Sequence, residues 1–269
     1  MSQIIKRHLE ELALKDPLAR REALEQVLTA EGLSYEIQEA PPSYKNPLGV
    51  KNFLLGSEEP AHLFCAHYDS VPGSFGANDN AAAVCILIDL AKELKRRQIP
   101  AKFAFFDGEE QDNAGSRRYC SLLDRKSLTA VINLDVCGYG DTIAICGHGH
   151  EKKPPLRPFS NKRILEKYNA CLLRYLPKSD DASFSGMRIP VLNMCTVPRW
   201  DVQYLKAMAS YGGGFLGRPP EYDMMMEQME VSTTMHGGFR DAPQWVEPEA
   251  MERMYAYLAE GMEGAAGKG

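Results

Sequence analysis

No stretch of this 269-residue chain approaches the roughly 18 uninterrupted apolar residues expected of a membrane span. Its first residues, MSQIIKRHLEELALKD, are charged and amphipathic, without the apolar run and cleavage site of a secretory signal. A soluble, cytoplasmic chain is the expectation. A basic excess is missing too: 31 Lys and Arg against 36 Asp and Glu give a net charge of -5, which argues against nucleic acid as the main partner. The basic run Lys95, Arg96, Arg97 falls at a helix end, where the helix dipole favours cations. The seven cysteines show no CxxC spacing, and Cys65, Cys85 and Cys146 lie in apolar runs as small buried hydrophobes, so no disulfide framework is expected. Repeats and dividing linkers are lacking as well. Residues 1–269 therefore read as one domain with an N-terminal helical segment over 1–32, and 44% hydrophobic content is ample for its core.

What is present alternates between strand and helix patterns. Two helices are expected near 3–14 and 17–31, the second opening with Asp16-Pro17 and stopping at Gly32. LSYEIQEA, VKNFLLG, AHLFCAH, AKFAFFD, TAVINLD, TIAICG and MRIPVLNMCTV read as strands. AAAVCILIDLAKELKRR is too densely apolar for a surface helix and should lie against a sheet. AGSRRYCSLLDR, NKRILEKYNACLLRYL and PEAMERMYAYLAEGM are further helices, with GAAGKG as a frayed tail. The stretch 200–233, rich in Gly and Met, gives no clear assignment. This order implies an α/β fold, a three-layer α/β/α sandwich around a mixed, centrally parallel sheet.

Potential metal ligands collect where the strands end. His67 closes AHLFCAH, Asp107 to Glu110 follow AKFAFFD, and Asp135 closes TAVINLD, so three strands deliver His, Glu and Asp to the carboxyl edge of the sheet. Asp79 opens the apolar helix; a first-turn acid is the bland alternative, but GAN before it allows a tight path into a site. Asp69 shares a face with His67 in an extended segment and can fix its tautomer. Of the consecutive Glu109 and Glu110, one can bind metal while the other handles protons. His236, far along the chain in TTMHGGFRD, is a candidate last ligand, with the GHGH pair His148 and His150 as a rival; His8 and His62 lack context. Two imidazoles and several carboxylates suit zinc or a similar divalent ion. The residues thus point to a metal-dependent hydrolase.

Five strings in order, H-x-D (His67, Asp69), G-A-N-D-N (Gly76 to Asn80), G-E-E-x4-G-S (Gly108 to Ser116), N-x-D-x-x-G (Asn133 to Gly138) and S-D-x3-F-x4-I-P (Ser179 to Pro190), resemble the zinc aminopeptidase family that also contains glutamate carboxypeptidase and glutaminyl cyclase. The resemblance implies a phosphorylase/hydrolase-like sandwich. It makes His67 and Asp135 ligands of one metal, Glu110 and His236 ligands of a second, and Asp79 the bridge. Glu109 becomes the general base, with Asp69 orienting His67, and the peptide after Asp79 is expected to be cis. It further implies two zinc ions, replaceable by cobalt or manganese, and peptide or aminoacyl substrates.

The chain departs from the pattern in four places, the first a loop from His67 to Asp79 shorter than many family members have. His236 begins H-G-G-F-R-D where H-T-x-x-D-T is common, Asp181 stands where a His is frequent, and no Tyr immediately precedes His236. Tyr204, Tyr211 and Tyr222 are then candidates for oxyanion stabilisation. Two other readings stay open: a single-zinc aminoacyl cyclotransferase using Asp79, Glu110 and His236, and a metal-binding protein without catalysis. An oligomer is compatible with the exposed apolar residues expected in 200–230.

Overall fold

The computed structural model describes residues 6–210 and 220–267. One mixed sheet is built from β1 (Glu36–Ala40), β2 (Val50–Gly56), β3 (Ala61–His67), β4 (Ala101–Phe106), β5 (Leu128–Leu134), β6 (Thr142–Cys146), β7 (Ala170–Leu173) and β8 (Val191–Val197). The strands lie in the order β1-β2-β4-β3-β5-β8-β6-β7. The central β4-β3-β5-β8 strands are parallel, with antiparallel pairings on either side. The helices are α1 (Leu9–Leu12), α2 (Pro17–Ala30), α3 (Ala82–Arg96), α4 (Ala114–Leu122), α5 (Arg157–Ser160), α6 (Lys162–Lys167), α7 (Asp201–Met208), α8 (Pro220–Gln228) and α9 (Pro248–Ala266). They cover both sheet faces, so the expected α/β/α sandwich is found.

The middle strand shows why. β3 is buried along its whole length, as a parallel strand with helices on both faces must be. Its side chains alternate between two cores. Phe64 and Ala66 pack with Ile86 and Leu90 of α3 and Met254 and Tyr257 of α9. Leu63 and Cys65 pack on the other face with Phe106, Tyr119 and Phe184. Full burial of each large apolar side chain contributes about 1.5–3 kcal/mol. From Ala82 to Leu94 only Asp89, Lys92 and Glu93 escape full burial, which accounts for the apolar density of α3.

Three expectations need correction. The first helix is confined to Leu9–Leu12, after a turn at 6–8, with residues 1–5 outside the described residues. It stops early because Asp16 must be extended before Pro17, where its Oδ1 accepts from Ala19 N at 2.8 Å and caps α2. The helix expected over NKRILEKYNACLLRYL ends at Lys167, and Ala170–Leu173 is strand β7. There Asn169 takes a positive φ of 51°, and its amide donates to Asp141 O and Thr142 Oγ1 at the start of β6. Sheet pairing thus overrides the local helix preference of Ala and Leu. Finally, α9 runs on to Ala266 through half of the expected tail, with Lys268 and Gly269 outside the described residues. In the stretch left unassigned, α7 and α8 form; YGGGFLG, with Tyr211, lies outside the described residues.

Candidate metal centre

The carboxyl ends of β3, β4 and β5 lie side by side, which brings His67, the Asp107–Glu110 turn and Asp135 to one place. Asp79 reaches it from the turn before α3, and its peptide bond to Asn80 is cis, as the resemblance implies. His236 arrives from the segment before α9 with a positive φ of 50°. Two sets of potential ligand atoms result, His67–Asp79–Asp135 and Asp79–Glu110–His236, each with all its atoms within 4.8 Å of one another. Asp79 belongs to both: its Oδ1 is 3.4 Å from His67 Nε2, and its Oδ2 is 3.9 Å from His236 Nε2. Asp135 Oδ1 also lies 3.4 Å from His67 Nε2. His67 and Asp79 are buried, whereas the His236 side chain is 60% exposed, so the cluster opens to solvent on that side.

Asp69 stands behind His67. Its Oδ1 is 3.4 Å from His67 Nδ1, and its two oxygens accept from Glu109 N at 3.0 Å and Glu110 N at 3.2 Å. Asp69 therefore holds the imidazole through its backbone carbonyl, 3.3 Å from Nδ1, and the Glu109–Glu110 turn through its carboxylate. Asn113, also at positive φ, donates from Nδ2 to Glu109 Oε1 at 3.4 Å and to the buried Asp180 Oδ1 at 3.5 Å.

The electrostatics follow from crowding acids in a dry place. Burial pushes the carboxyls of Glu109 and Glu110 above their ordinary range, and neighbouring carboxylates add to this while His67 opposes it. Burial likewise takes Asp180 up to about 7. For His67, burial disfavours the charged ring, but Asp135, with Asp69 and Asp79, overrides it and drives the pKa well above the usual value. Glu110 Oε1 is buried without a hydrogen-bond partner, and Glu110 offers a carboxylate oxygen to the set with Asp79 and His236. An orphaned oxygen among acids and imidazoles suits a divalent cation, and this mixed N/O donor set suits zinc.

The other candidates fall elsewhere. His148 Nε2 sits 3.6 Å from Asp181 Oδ2, and His150 Nδ1 accepts from Val191 N at 3.2 Å, so among the described residues the GHGH pair joins neither ligand set. His62 lies beside Pro155 O and Thr129 Oγ1, and His8 beside Glu11 and Glu31. Tyr222 is buried with its hydroxyl against that of Tyr175 at 2.6 Å, and Tyr204 packs in the apolar cluster of α7 and α8.

Some contributors carried no clear mark in the sequence. Asp241 Oδ1 accepts from Asn78 N and Asp79 N, and its Oδ2 takes the Ser74 hydroxyl at 2.6 Å. Asn78 Nδ2 donates to Thr234 Oγ1, and Asn80 Nδ2 to Leu134 O. The two asparagines of GANDN thus tie the Asp79 turn to the His236 segment and to the end of β5. The only signal for Asp241 was its place five residues after His236.

Residues 54–254 match the model of peptidase family M28. A stretch of 99 residues, 32% of the chain, is 39% identical to aminopeptidase YwaD of Bacillus subtilis, of which it covers 21%. The chain spans well under half the length of the curated relatives it matches. Among solved structures, the glutaminyl cyclase of Porphyromonas gingivalis superposes with a TM-score of 0.71 at 15% identity, covering 98% of both chains. A Zn-dependent exopeptidase from Parabacteroides distasonis gives 0.69 at 13% identity, covering 97% of both. At these identities the two structures speak for the fold.

Proposed function

Since this chain belongs to peptidase family M28, we propose that it is a zinc-dependent exopeptidase, most simply an aminopeptidase that cleaves short peptides with two zinc ions. The observation that carries this reading is Asp79, whose two carboxylate oxygens face two separate ligand sets. His67 and Asp135 would hold one ion, Glu110 and His236 the other, with Asp79 common to both. Bound there, zinc supplies Lewis acidity, polarising a carbonyl and making a water easier to deprotonate.

The remaining steps belong to the protein. Glu109 takes the proton from the water whose oxygen bonds to the scissile carbonyl carbon. As the C–N bond breaks, the same carboxyl returns that proton to the leaving amine nitrogen. Burial supports this role, because a base with an elevated pKa is also a competent acid near neutrality. Asn113 holds its Oε1, and Asp69 fixes its backbone and the His67 ring.

The choice of the amino terminus rests on the sign of the lining. Glu109, Asp135 and Asp180 act on one another across it, and carboxylates favour a substrate ammonium over a terminal carboxylate. Beside Asp135 lies a cavity of about 60 Å³ lined by Val136, Leu176, Met226, Met229 and Met235, which suits an apolar side chain. Larger depressions, including one of about 760 Å³ between the end of α2, α3 and α9, hold none of the clustered ligands, so size alone is a poor guide here. All seven cysteines are free thiols, which supports a reducing, cytoplasmic setting. No described helix is long and apolar enough to cross a membrane.

The test is metal content of the purified protein, with release measured from a panel of aminoacyl and peptide substrates on the same sample. Two zinc ions per chain with release of apolar amino-terminal residues is the expected result. One tightly held ion with cyclisation of amino-terminal glutamine would transfer the site to the cyclotransferase reading, for which Asp79, Glu110 and His236 form a complete set. Metal without turnover of any substrate would favour a binding protein, against which an intact Glu109 argues.

A further inference from the structure

Helix α2 ends before the segment that matches the family, yet two of its consecutive residues reach the two loops that carry the site. Arg20 is 2% exposed. Its guanidinium donates to four backbone carbonyls: Nε to Tyr68 O at 2.7 Å, Nη1 to Leu14 O at 3.3 Å and Phe75 O at 2.5 Å, and Nη2 to Gly76 O at 3.3 Å. Three of those carbonyls belong to the loop between His67 and Asp79. The planar fork of an arginine can serve several acceptors at fixed angles, which a lysine ammonium cannot do.

Arg21 turns the other way. Its Nη2 donates to Asp107 Oδ2 at 2.5 Å and Gly49 O at 2.8 Å, and its Nη1 to Leu48 O at 3.2 Å. Asp107 Oδ2 also accepts from Lys51 N at 2.9 Å, which pins the turn leading into Glu109 and Glu110. The joint at Gly76 leaves no slack. With a φ of +52°, a Cβ there would stand 2.6 Å from Ser70 Cβ, 2.7 Å from Asp79 O and 2.9 Å from Arg20 Nη1. Asp69 then joins both loops, since it sits in the first and accepts the Glu109 and Glu110 amides of the second.

We propose that Arg20 and Arg21 are positioning residues that make α2 a working part of the site, Arg20 setting the His67–Asp79 loop and Arg21 the Glu109–Glu110 turn. The inference rests on the zinc peptidase reading above. It assigns the two arginines different failures. Loss of the Arg20 fork lets two ligands of one set drift apart, so zinc affinity falls. Loss of the Arg21 anchor leaves the His67 set intact but loosens the turn that carries both the base and Glu110, so turnover falls with little change in substrate binding.

The experiment uses the full chain with Arg20→Lys, Arg21→Met and Arg21→Lys, and Arg96→Met on the exposed end of α3 as a control. Zinc affinity is read by chelator competition, and kcat and KM on the best substrate, all well below each variant's Tm. Arg20→Lys should bind zinc roughly 10- to 100-fold more weakly, the range found when groups behind metal ligands are altered. Arg21→Met should lose about tenfold in kcat with KM within about twofold, and Arg21→Lys should recover part of it by keeping a cation beside Asp107. Arg96→Met should match wild type. If Arg20→Lys fails to fold, the half-buried Arg21 carries the test, and an unchanged kcat in Arg21→Met overturns the proposal. Wild-type zinc affinity in a folded Arg20→Lys overturns it equally. Wild-type protein that holds no zinc would sink both this inference and the reading beneath it.

Discussion

Both ends of the sheet are charged, but only the carboxyl end crowds buried acids against one another. At the carboxyl end, His67, Asp69, Asp79 and Asp180 are buried and crowd one another. At the opposite end, Glu93 is met by Arg96 at 2.8 Å and Arg97 at 2.6 Å, one turn away on the same helix, and Arg97 also reaches Glu263. Exposed pairs of that kind contribute about 0–1 kcal/mol and need no partner from elsewhere in the chain. Burying a charge costs several kcal/mol unless it is paired. The same residue types are therefore ordinary at one end and costly at the other, and the cost is what marks the site.

The largest effect is expected at Glu109. Glu109→Gln should lower kcat by about 10²–10⁴-fold, the usual share of a positioned acid–base group, while zinc content stays at the wild-type level. Burial raises the folded-state pKa of Glu109 above its ordinary value, so its ionised form weakens the fold as pH climbs above about 4.5. The metal-free Gln variant should then melt no lower than wild type at pH 7, and a clear fall in Tm would overturn the view of Glu109 as a destabilising group.

A smaller effect is expected at Asp241, which pairs its burial with donors. Asp241→Ala leaves Asn78 N, Asp79 N and the Ser74 hydroxyl without their acceptor. Chemical denaturation should register a loss of about 1–3 kcal/mol, together with weaker zinc retention. A variant as stable as wild type would show that water replaces the carboxylate at no cost.

The smallest effect is expected at Glu31, far from the cluster. Burial alone would raise its pKa, but hydrogen bonds from Lys92 and His8, and the charge of Arg7, hold it at about 2. A depressed folded-state pKa gives stability that is present above the ordinary value near 4.5 and is lost as pH falls toward 2. Glu31→Gln should therefore cost about 1–2 kcal/mol at pH 7, after discounting for solvent screening around Arg7. The gap from wild type should narrow steadily between about pH 4.5 and 2, and a gap independent of pH would remove the ion-pair explanation.

Much of the fold could be read from the chain because its central strands and helices announce themselves by period. AHLFCAH, AKFAFFD and TAVINLD are mainly apolar runs each ending in a charged or imidazole side chain, and α3 is apolar except for Lys95 and one stripe through Asp89, Lys92, Glu93 and Arg96. Strand β7 was not legible, because Ala, Leu and Cys suit a helix equally well and only pairing with β6 decides between them. The same limit applied to the last imidazole. Nothing local separates His236 from the GHGH pair; what separates them is that His236 N donates to Asp79 Oδ2 at 2.9 Å across 157 residues of sequence.

Which side chains stand at the strand ends follows from strand period and turn chemistry, since both act over a few residues. Sequence alone thus sets the acid–imidazole character of the carboxyl edge. Tertiary structure alone decided that Asp79 faces two ligand sets, that Asp69 ties two loops together and that Arg20 and Arg21 reach them from α2. Those relations depend on packing between segments tens to hundreds of residues apart. Short-range preferences carry no information about such distances.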